Sequence, residues 1–343
     1  KIIWSMINRI EIKKLFNLYD YDLDLTSGDN ENLCILTGPN GFGKTTILLL
    51  IKALYTRDYE LMASIKFDSV VYHFDGKVFY VRQKRETEDV DISSDLPGIE
   101  RVSLECSFFD ESSYGTETPV TMLIEDVEDG DADWARNELN SFNLFMNSRQ
   151  CFYISDNRQV DIKTDTESVS GIYGNVLYKD VEKFKSLLSD VRYNAADESE
   201  LDTDFADRLN LFREIISNCR FANKTMQIHQ YFGIRFQLNN DSGEFIGVDR
   251  LSSGEKHIVL QTLELLFFAK DGVVAMIDEP ELSFHPAWLN RYVSDIEKIQ
   301  NVKSLPGKSF QVILATHSPT LVGQRWNDCI DLYEHQKYET GRV

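Results

Sequence analysis

The order of apolar and polar positions marks out the elements of this chain. Residues 7–12 and 19–25 mix the two at strand spacing and predict two short strands, on either side of Leu15-Phe16-Asn17. Leu33-Cys34-Ile35-Leu36 is apolar throughout and predicts a buried strand, followed by the helix-favouring run Ile47-Leu48-Leu49-Leu50-Ile51-Lys52-Ala53-Leu54. Two β-rich runs, Ser69-Val70-Val71-Tyr72-His73-Phe74 and Lys77-Val78-Phe79-Tyr80-Val81-Arg82, meet at Asp75-Gly76, a strong hairpin signal. Residues 101–109 and 120–124 predict further strands, so residues 65–125 read as an antiparallel β-layer. A helical section follows, clearest at residues 180–191 and 204–218; Phe205, Leu209, Phe212 and Ile216 share one face of the second helix, which reads as core packing. Residues 227–238 and 244–248 predict another hairpin, and residues 252–269 a helix stopped at Gly272. Val273-Val274-Ala275-Met276-Ile277 and Val312-Ile313-Leu314-Ala315 are apolar on both faces, as central parallel strands are. No heptad pattern is sustained, so a long coiled-coil arm is not expected.

Between the first buried strand and its helix lies Gly38-Pro39-Asn40-Gly41-Phe42-Gly43-Lys44-Thr45-Thr46. This is Gly-x-x-x-x-Gly-Lys-Thr in the strand–helix setting that makes it specific. Glycines let successive N–H groups curl toward phosphate oxygens, and the helix N-terminus adds its positive dipole end. Lys44 is the candidate contact to the β- and γ-phosphates of a nucleotide, and Thr45 the candidate magnesium ligand. The strand at 273–277 ends in Asp278-Glu279-Pro280. Two acidic residues at a strand end also make an ordinary surface turn; in a chain that carries the phosphate loop they read as a magnesium ligand, Asp278, and a carboxylate that polarises the attacking water, Glu279.

Leu251-Ser252-Ser253-Gly254-Glu255-Lys256-His257 opens the helix before that strand. By itself Ser-Ser-Gly-Glu is an N-cap with a carboxylate in the first turn, available to any helix. Thr316-His317-Ser318-Pro319 follows the last strand, and a lone His at a strand end is usually structural. The order of all four motifs, however, resembles that of the ABC-type ATPases. The resemblance implies ATP as ligand, Leu251, Ser252, Ser253, Gly254 and Glu255 as a signature that binds the γ-phosphate held by a second protomer, and His317 as a switch that senses that phosphate. The fold it implies is α/β, an ABC-type P-loop ATPase head with a mixed central sheet, an antiparallel β-layer and a helical insertion. The expected organisation is a first part of the ATPase core at 1–60, the β-layer and insertion or lid at 61–250, and the second part of the core at 251–343.

The wording Ile277-Asp278-Glu279-Pro280-Glu281-Leu282-Ser283-Phe284-His285-Pro286-Ala287-Trp288 and Ala315-Thr316-His317-Ser318-Pro319 resembles the OLD- and RecF-like branch, relatives of SMC and DNA-repair ATPases. It is similar to stand-alone bacterial ATPases of anti-phage systems of the Septu, PARIS and retron types. That resemblance implies an ATP-dependent head-to-tail homodimer, with residues 281–283 along its interface, and a separate effector protein. Three departures stand out. Ser253 replaces a glycine common among relatives. The glutamine that senses magnesium and water has only Gln159, with Asn157 beside it, as candidates. Residues 320–343 are too few for the Toprim nuclease domain of OLD nucleases, so the expectation is an ATPase without its own effector.

Composition narrows the partners. Of 343 residues, 36 are Lys or Arg and 56 Asp or Glu, a net charge of −20, the opposite of a protein that wraps nucleic acid with its whole surface. DNA contact, if it occurs, must be local; Lys77, Arg82, Lys84 and Arg85 are the candidate patch, although solvated hairpin charges explain them as well. The five cysteines are scattered, which reads as reduced thiols in a cytoplasmic protein, and the acidic stretches 86–95 and 125–133 read as solvated loops. The first residue, Lys1, raises the expectation of a trimmed start; no apolar run reaches membrane-spanning length. Two other functions compete: an ABC transporter ATPase subunit, which the long stretch between Thr46 and Leu251 opposes, and a nucleotide-gated scaffold that holds a toxic effector without turnover, which the Asp278-Glu279 pair opposes.

Overall fold

The computed structural model describes residues 6–88, 99–113, 120–123, 139–147, 149–154, 182, 185–186, 203–219, 221, 223–229, 232–269, 273–282, 284–303 and 310–336. The chain divides into two compact units, one of residues 1–151, 311–317 and 325–343, the other of residues 152–310 and 318–324. Parallel and antiparallel sheets with helices make it a mixed α/β fold, the class expected from the sequence.

The first unit holds a six-stranded antiparallel sheet in the order β2-β1-β4-β5-β6-β7. Its strands are β1 (Arg9–Leu15), β2 (Tyr19–Asp24), β4 (Ser69–Phe74), β5 (Lys77–Glu88), β6 (Ile99–Asp110) and β7 (Val120–Leu123). Asp75-Gly76 turns β4 into β5 in register, His73 opposite Val78, with Gly76 at φ +71° where a side chain is disfavoured. Ile10, Ile12, Val70, Tyr72, Phe79 and Val81 are wholly buried. Three helices pack here. Tyr72 donates its hydroxyl hydrogen to Leu50 O (3.0 Å) on α1 (Lys44–Thr56), and Phe79 stacks on Phe142 of α3 (Asn140–Met146) with centroids 3.9 Å apart. Helix α2 (Tyr59–Ser64) is tied down by buried Gln83, whose amide donates to Ala63 O and Ile65 O.

In the same unit β3 (Leu33–Thr37) pairs in parallel with β13 (Gln311–Ala315) and β14 (Cys329–Asp331). Every residue of β13 is buried, as are Leu33 to Leu36 of β3, which is why both strands read as unbroken apolar runs.

The second unit is mostly helical. Helices α4 (Thr203–Asn218), α5 (Ser253–Leu263) and α6 (Pro286–Lys303) accompany strand β12 (Val274–Asp278), which neighbours β8 (Cys151–Ile154). Leu209, Phe212 and Ile216 of α4 are buried, the core face its spacing predicts. The helix expected over 252–269 changes pitch: α5 gives way to a π-helical segment, Glu264–Phe268. Its carbonyls are held from two sides, Leu266 O by Arg208 (3.2 Å) and Ala269 O by the fully buried Lys303 ammonium (2.6 Å). Residues 227–238 do not form one strand. They break into β9 (Lys224–His229) and β10 (Gly233–Leu238), because Gly233 at φ +65° turns the chain, and β11 (Phe245–Ile246) completes a three-stranded antiparallel sheet. The helix expected at 180–191 falls almost wholly outside the described residues.

Among the described residues, no helix is long and apolar enough to cross a membrane.

Candidate functional site

The phosphate loop is built by backbone conformation. Gly38, Gly41 and Gly43 have φ of +132°, +87° and +88°, values that side chains disfavour. A Cβ on Gly43 would also lie 2.8 Å from Leu15 Cδ2, so the loop closes directly on the end of β1. Helix α1 starts at Lys44 with no side-chain cap, which leaves its positive end to whatever anion the loop takes. The Lys44 side chain is buried, and its ammonium donates to Gly38 O (2.9 Å) and Pro39 O (3.3 Å), spanning the loop from within. Asn40, Gly41 and Thr45 are exposed, and Pro39 with them, while Thr46 is half-buried. Tyr21 donates its hydroxyl hydrogen to Phe42 O (2.8 Å), and the Phe42 ring lies 5.3 Å from Tyr19 and 5.8 Å from Tyr333. This aromatic collar was not foreseen, since Tyr333 and Tyr19 meet Phe42 only through the fold.

His317 sits at the same end of the same sheet. The register pairs Ala315 with Leu36, and Thr316 donates its backbone N–H to Leu36 O (3.0 Å). Gly38 and His317, each two residues further on, therefore leave neighbouring parallel strands side by side, with His317 exposed.

In the second unit, β12 buries all its residues and delivers Asp278, 1% exposed, at its C-terminal end. Tyr153 of β8 donates its hydroxyl hydrogen to Asp278 Oδ2 at 3.2 Å. Glu279 follows at φ +41°, a left-handed conformation that costs a non-glycine residue about 1–3 kcal/mol. Such strain persists where the surroundings impose it, and it is concentrated at functional residues. It turns the chain out of the buried strand into the 3-10 turn Pro280–Leu282, closed by Leu282 N–H to Glu279 O (3.2 Å).

The Ser-Ser-Gly-Glu start of α5 is a full capping box. Ser252 Oγ accepts from Glu255 N–H (3.4 Å) and Glu255 Oε2 accepts from Ser252 N–H (2.8 Å). Glu255 Oε1 accepts in addition from Lys224 Nζ (2.8 Å) at the start of β9. Burial works against the Glu255 charge, but the hydrogen bonds from Lys224 and Ser252 outweigh it and hold the carboxyl below its usual value. Leu251 is buried and anchors the turn, while Ser252, Ser253, Gly254 and Glu255 line an open groove of about 810 Å³ together with His285 and Arg291. Since Ser252 Oγ accepts in the cap, its own O–H remains a donor. Lys224 carried no motif signal; only the fold brings it to Glu255.

Gln159 and Asn157 lie outside the described residues, as does Ser283. Taken singly, the Thr45 hydroxyl and the Asp278 carboxylate are hard oxygen donors of the kind magnesium takes.

A glycine-bent loop opening an uncapped helix, a buried strand ending in Asp-Glu, and the order in which these and the capped signature follow one another define the class: an ABC-type P-loop ATPase domain. More particularly, the chain belongs to the family described as "AAA domain, putative AbiEii toxin, Type IV TA system", whose profile matches residues 33–323. No curated protein matches it in sequence. It is similar to an SMC head bound to the C-terminal winged-helix domain of ScpA (14% identity, 92% of this chain and 90% of that one, TM-score 0.45). It is also similar to a Pyrococcus furiosus SMC head with an extended coiled coil bound to the C-terminal domain of ScpA (13%, 93% and 91%, TM-score 0.44). A third likeness is to the ABC transporter component cbiO1 of Clostridium perfringens (13%, 91% and 80%, TM-score 0.34).

Proposed function

We propose that this chain binds ATP and hydrolyses it slowly, in a head-to-tail homodimer whose closing and reopening controls a separate effector protein in bacterial anti-phage defence or DNA metabolism. The observation that carries the reading is the phosphate loop: three glycines at positive φ, an uncapped helix end and the Lys44 ammonium placed within the same turn. On ATP binding, Lys44 exchanges its loop carbonyls for β- and γ-phosphate oxygens, which bear more charge. Thr45 and Asp278 would hold a magnesium ion, which would supply charge neutralisation at the phosphates. Glu279 polarises the water for in-line attack on the γ-phosphorus, and His317 contacts the γ-phosphate.

In this reading Ser252, Gly254 and the N-terminus of α5 complete the site of the opposite protomer, since only ATP carries the γ-phosphate that bridges the two. Ser252, Ser253 and Gly254, at the N-terminal end of α5, line the open groove, which supports that role. Gln159 is proposed for the magnesium- and water-sensing contact. The test is phosphate release: Glu279→Gln should keep ATP affinity and lose turnover, whereas Lys44→Ala should lose ATP binding. Wild-type hydrolysis by Glu279→Gln would remove the assignment of the catalytic carboxylate.

A further inference from the structure

The three-stranded sheet β9–β11 presents a face that ATP chemistry does not use. Alternation along its strands buries Ile234, Phe236 and Ile246 on one side. The register then places Thr225, Gln227 and His229 of β9, Arg235 and Gln237 of β10, and Phe245 of β11 on the other. Phe232, at the turn into β10, is 63% exposed, and Phe245 is 42% exposed. Exposed large aromatics at two corners of one small sheet are not what solubility selects, and here they share a partner. The Arg235 guanidinium lies 3.9 Å from the Phe245 ring centroid and 5.3 Å from that of Phe232, and the His229 ring lies 4.9 Å from Phe232. Four planar side chains thus run across the face in contact.

Among the described residues Arg235 has no ion-pair partner; its guanidinium donates to Gln227 Oε1 (3.3 Å), and its buried Nε has no hydrogen-bond partner among them. Gln227 in turn donates to Gln237 Oε1 (2.9 Å), so the neighbouring amides are occupied with one another. No Asp or Glu occurs in β9, β10 or β11, in a chain whose net charge is −20. Lys185, whose stem lies against Gly233, has its own carboxylate in Glu182 (3.6 Å). In the hairpin patch that the sequence offers for DNA, two of the four charges are paired, Lys77 with Asp110 (2.6 Å) and Lys84 with Glu105 (2.5 Å), while Arg85 donates to Gln83 and Ala63 O.

We propose that this face binds single-stranded nucleic acid, with bases stacked on Phe232 and Phe245 and a backbone phosphate on Arg235. Exposed rings accept the π-face of any base, and an Arg close to both of them has N–H donors beyond the one given to Gln227 for a phosphate. A sheet surface carrying aromatics and a cation is how single strands are commonly held, whereas duplexes hide the base faces that such rings need. A protein partner would meet the same apolar rings but has no comparable use for an Arg without a carboxylate unless it supplies one.

The experiment measures fluorescence anisotropy of a labelled mixed-sequence oligonucleotide, single-stranded, as DNA and as RNA, with the full chain at low salt. Wild type should bind at least one of them, and the same strand annealed into a duplex should bind more weakly. Phe232→Ala/Phe245→Ala should weaken binding about tenfold or more. Arg235→Gln should weaken it and reduce the dependence of log affinity on log salt by roughly 0.7, the value for one phosphate contact on a single strand. Phe232 and Phe245 are exposed and Arg235 is half-buried, and unchanged circular-dichroism melting confirms the fold of each variant. Lys44→Ala should bind the oligonucleotide like wild type, so the outcome does not depend on ATP hydrolysis. The proposal is overturned if wild type binds neither oligonucleotide, or if both variants keep wild-type affinity. It is equally overturned if the Phe variants change only self-association in light scattering, which would make the face a contact between copies.

Discussion

Tyr153 and Asp278, 125 positions apart in the chain, are joined by a hydrogen bond of 3.2 Å from the phenol to the carboxylate. A buried carboxylate with few rotamers left is best aimed by a donor fixed on a neighbouring strand, and β8 supplies one. Tyr153→Phe removes that donor with little change of shape. A hydrogen bond to a charged group contributes about 1.5–3 kcal/mol, so the magnesium concentration for half-maximal ATPase should rise roughly 10- to 150-fold. Manganese binding in the presence of ATP, read by electron paramagnetic resonance, should weaken in parallel. Unchanged metal dependence in both assays would mean that Tyr153 only fills space.

Glu279 trades stability for position. Glycine adopts φ +41° without strain, so Glu279→Gly should raise unfolding stability by about 1 kcal/mol while abolishing turnover. The measurement is urea unfolding without nucleotide, beside phosphate release. A less stable Glu279→Gly protein would show that the Glu279 side chain contributes more to the fold than its backbone costs.

The Lys224–Glu255 pair gives a pH signature. Glu255 is held below its usual carboxylate value when folded, so its contribution is complete above the ordinary value of about 4.3 and is lost as pH falls through the lower folded value. Lys224→Ala should therefore cost about 2–3 kcal/mol at neutral pH. The cost should shrink at acid pH, as the pH falls below the ordinary carboxylate value and through the lower folded value of Glu255. Denaturant midpoints at the two pH values check this; an equal loss at both would assign the effect to packing of the Lys224 stem.

Much of this arrangement could be read from the chain alone, and the limits have physical causes. The places of Gly38, Lys44, Thr45, Asp278 and His317, just after buried strands or at a helix start, are legible because apolar runs mark those elements. Asp75-Gly76 is legible because a two-residue hairpin needs positive φ. The π-helical end of the signature helix was not, since periodicity is the same until Lys303 and Arg208, both distant in sequence, hold its carbonyls. Nor was the break after β9: an apolar–polar alternation continues through it, and only Gly233 marks the turn. Tyr153, Lys224 and Tyr333 act through partners that the fold brings to them, and no local pattern encodes such a meeting.

The central claim is a site shared between two protomers, and complementation tests it most directly. Lys44→Ala disables a protomer's own phosphate loop and leaves its signature intact; Ser252→Arg does the reverse, placing bulk and charge in the groove that the partner's γ-phosphate must enter. Each variant alone should be inactive. In a mixed dimer one site collects both lesions and the other is whole. Random exchange makes about half the dimers mixed, so activity should return to at most roughly a quarter of wild type if the sites act independently. The measurement is ATPase activity of each variant and of the two after subunit exchange, with mixing confirmed by differently tagged chains. Recovery toward that value is the predicted result; full activity of Ser252→Arg alone would contradict the shared site.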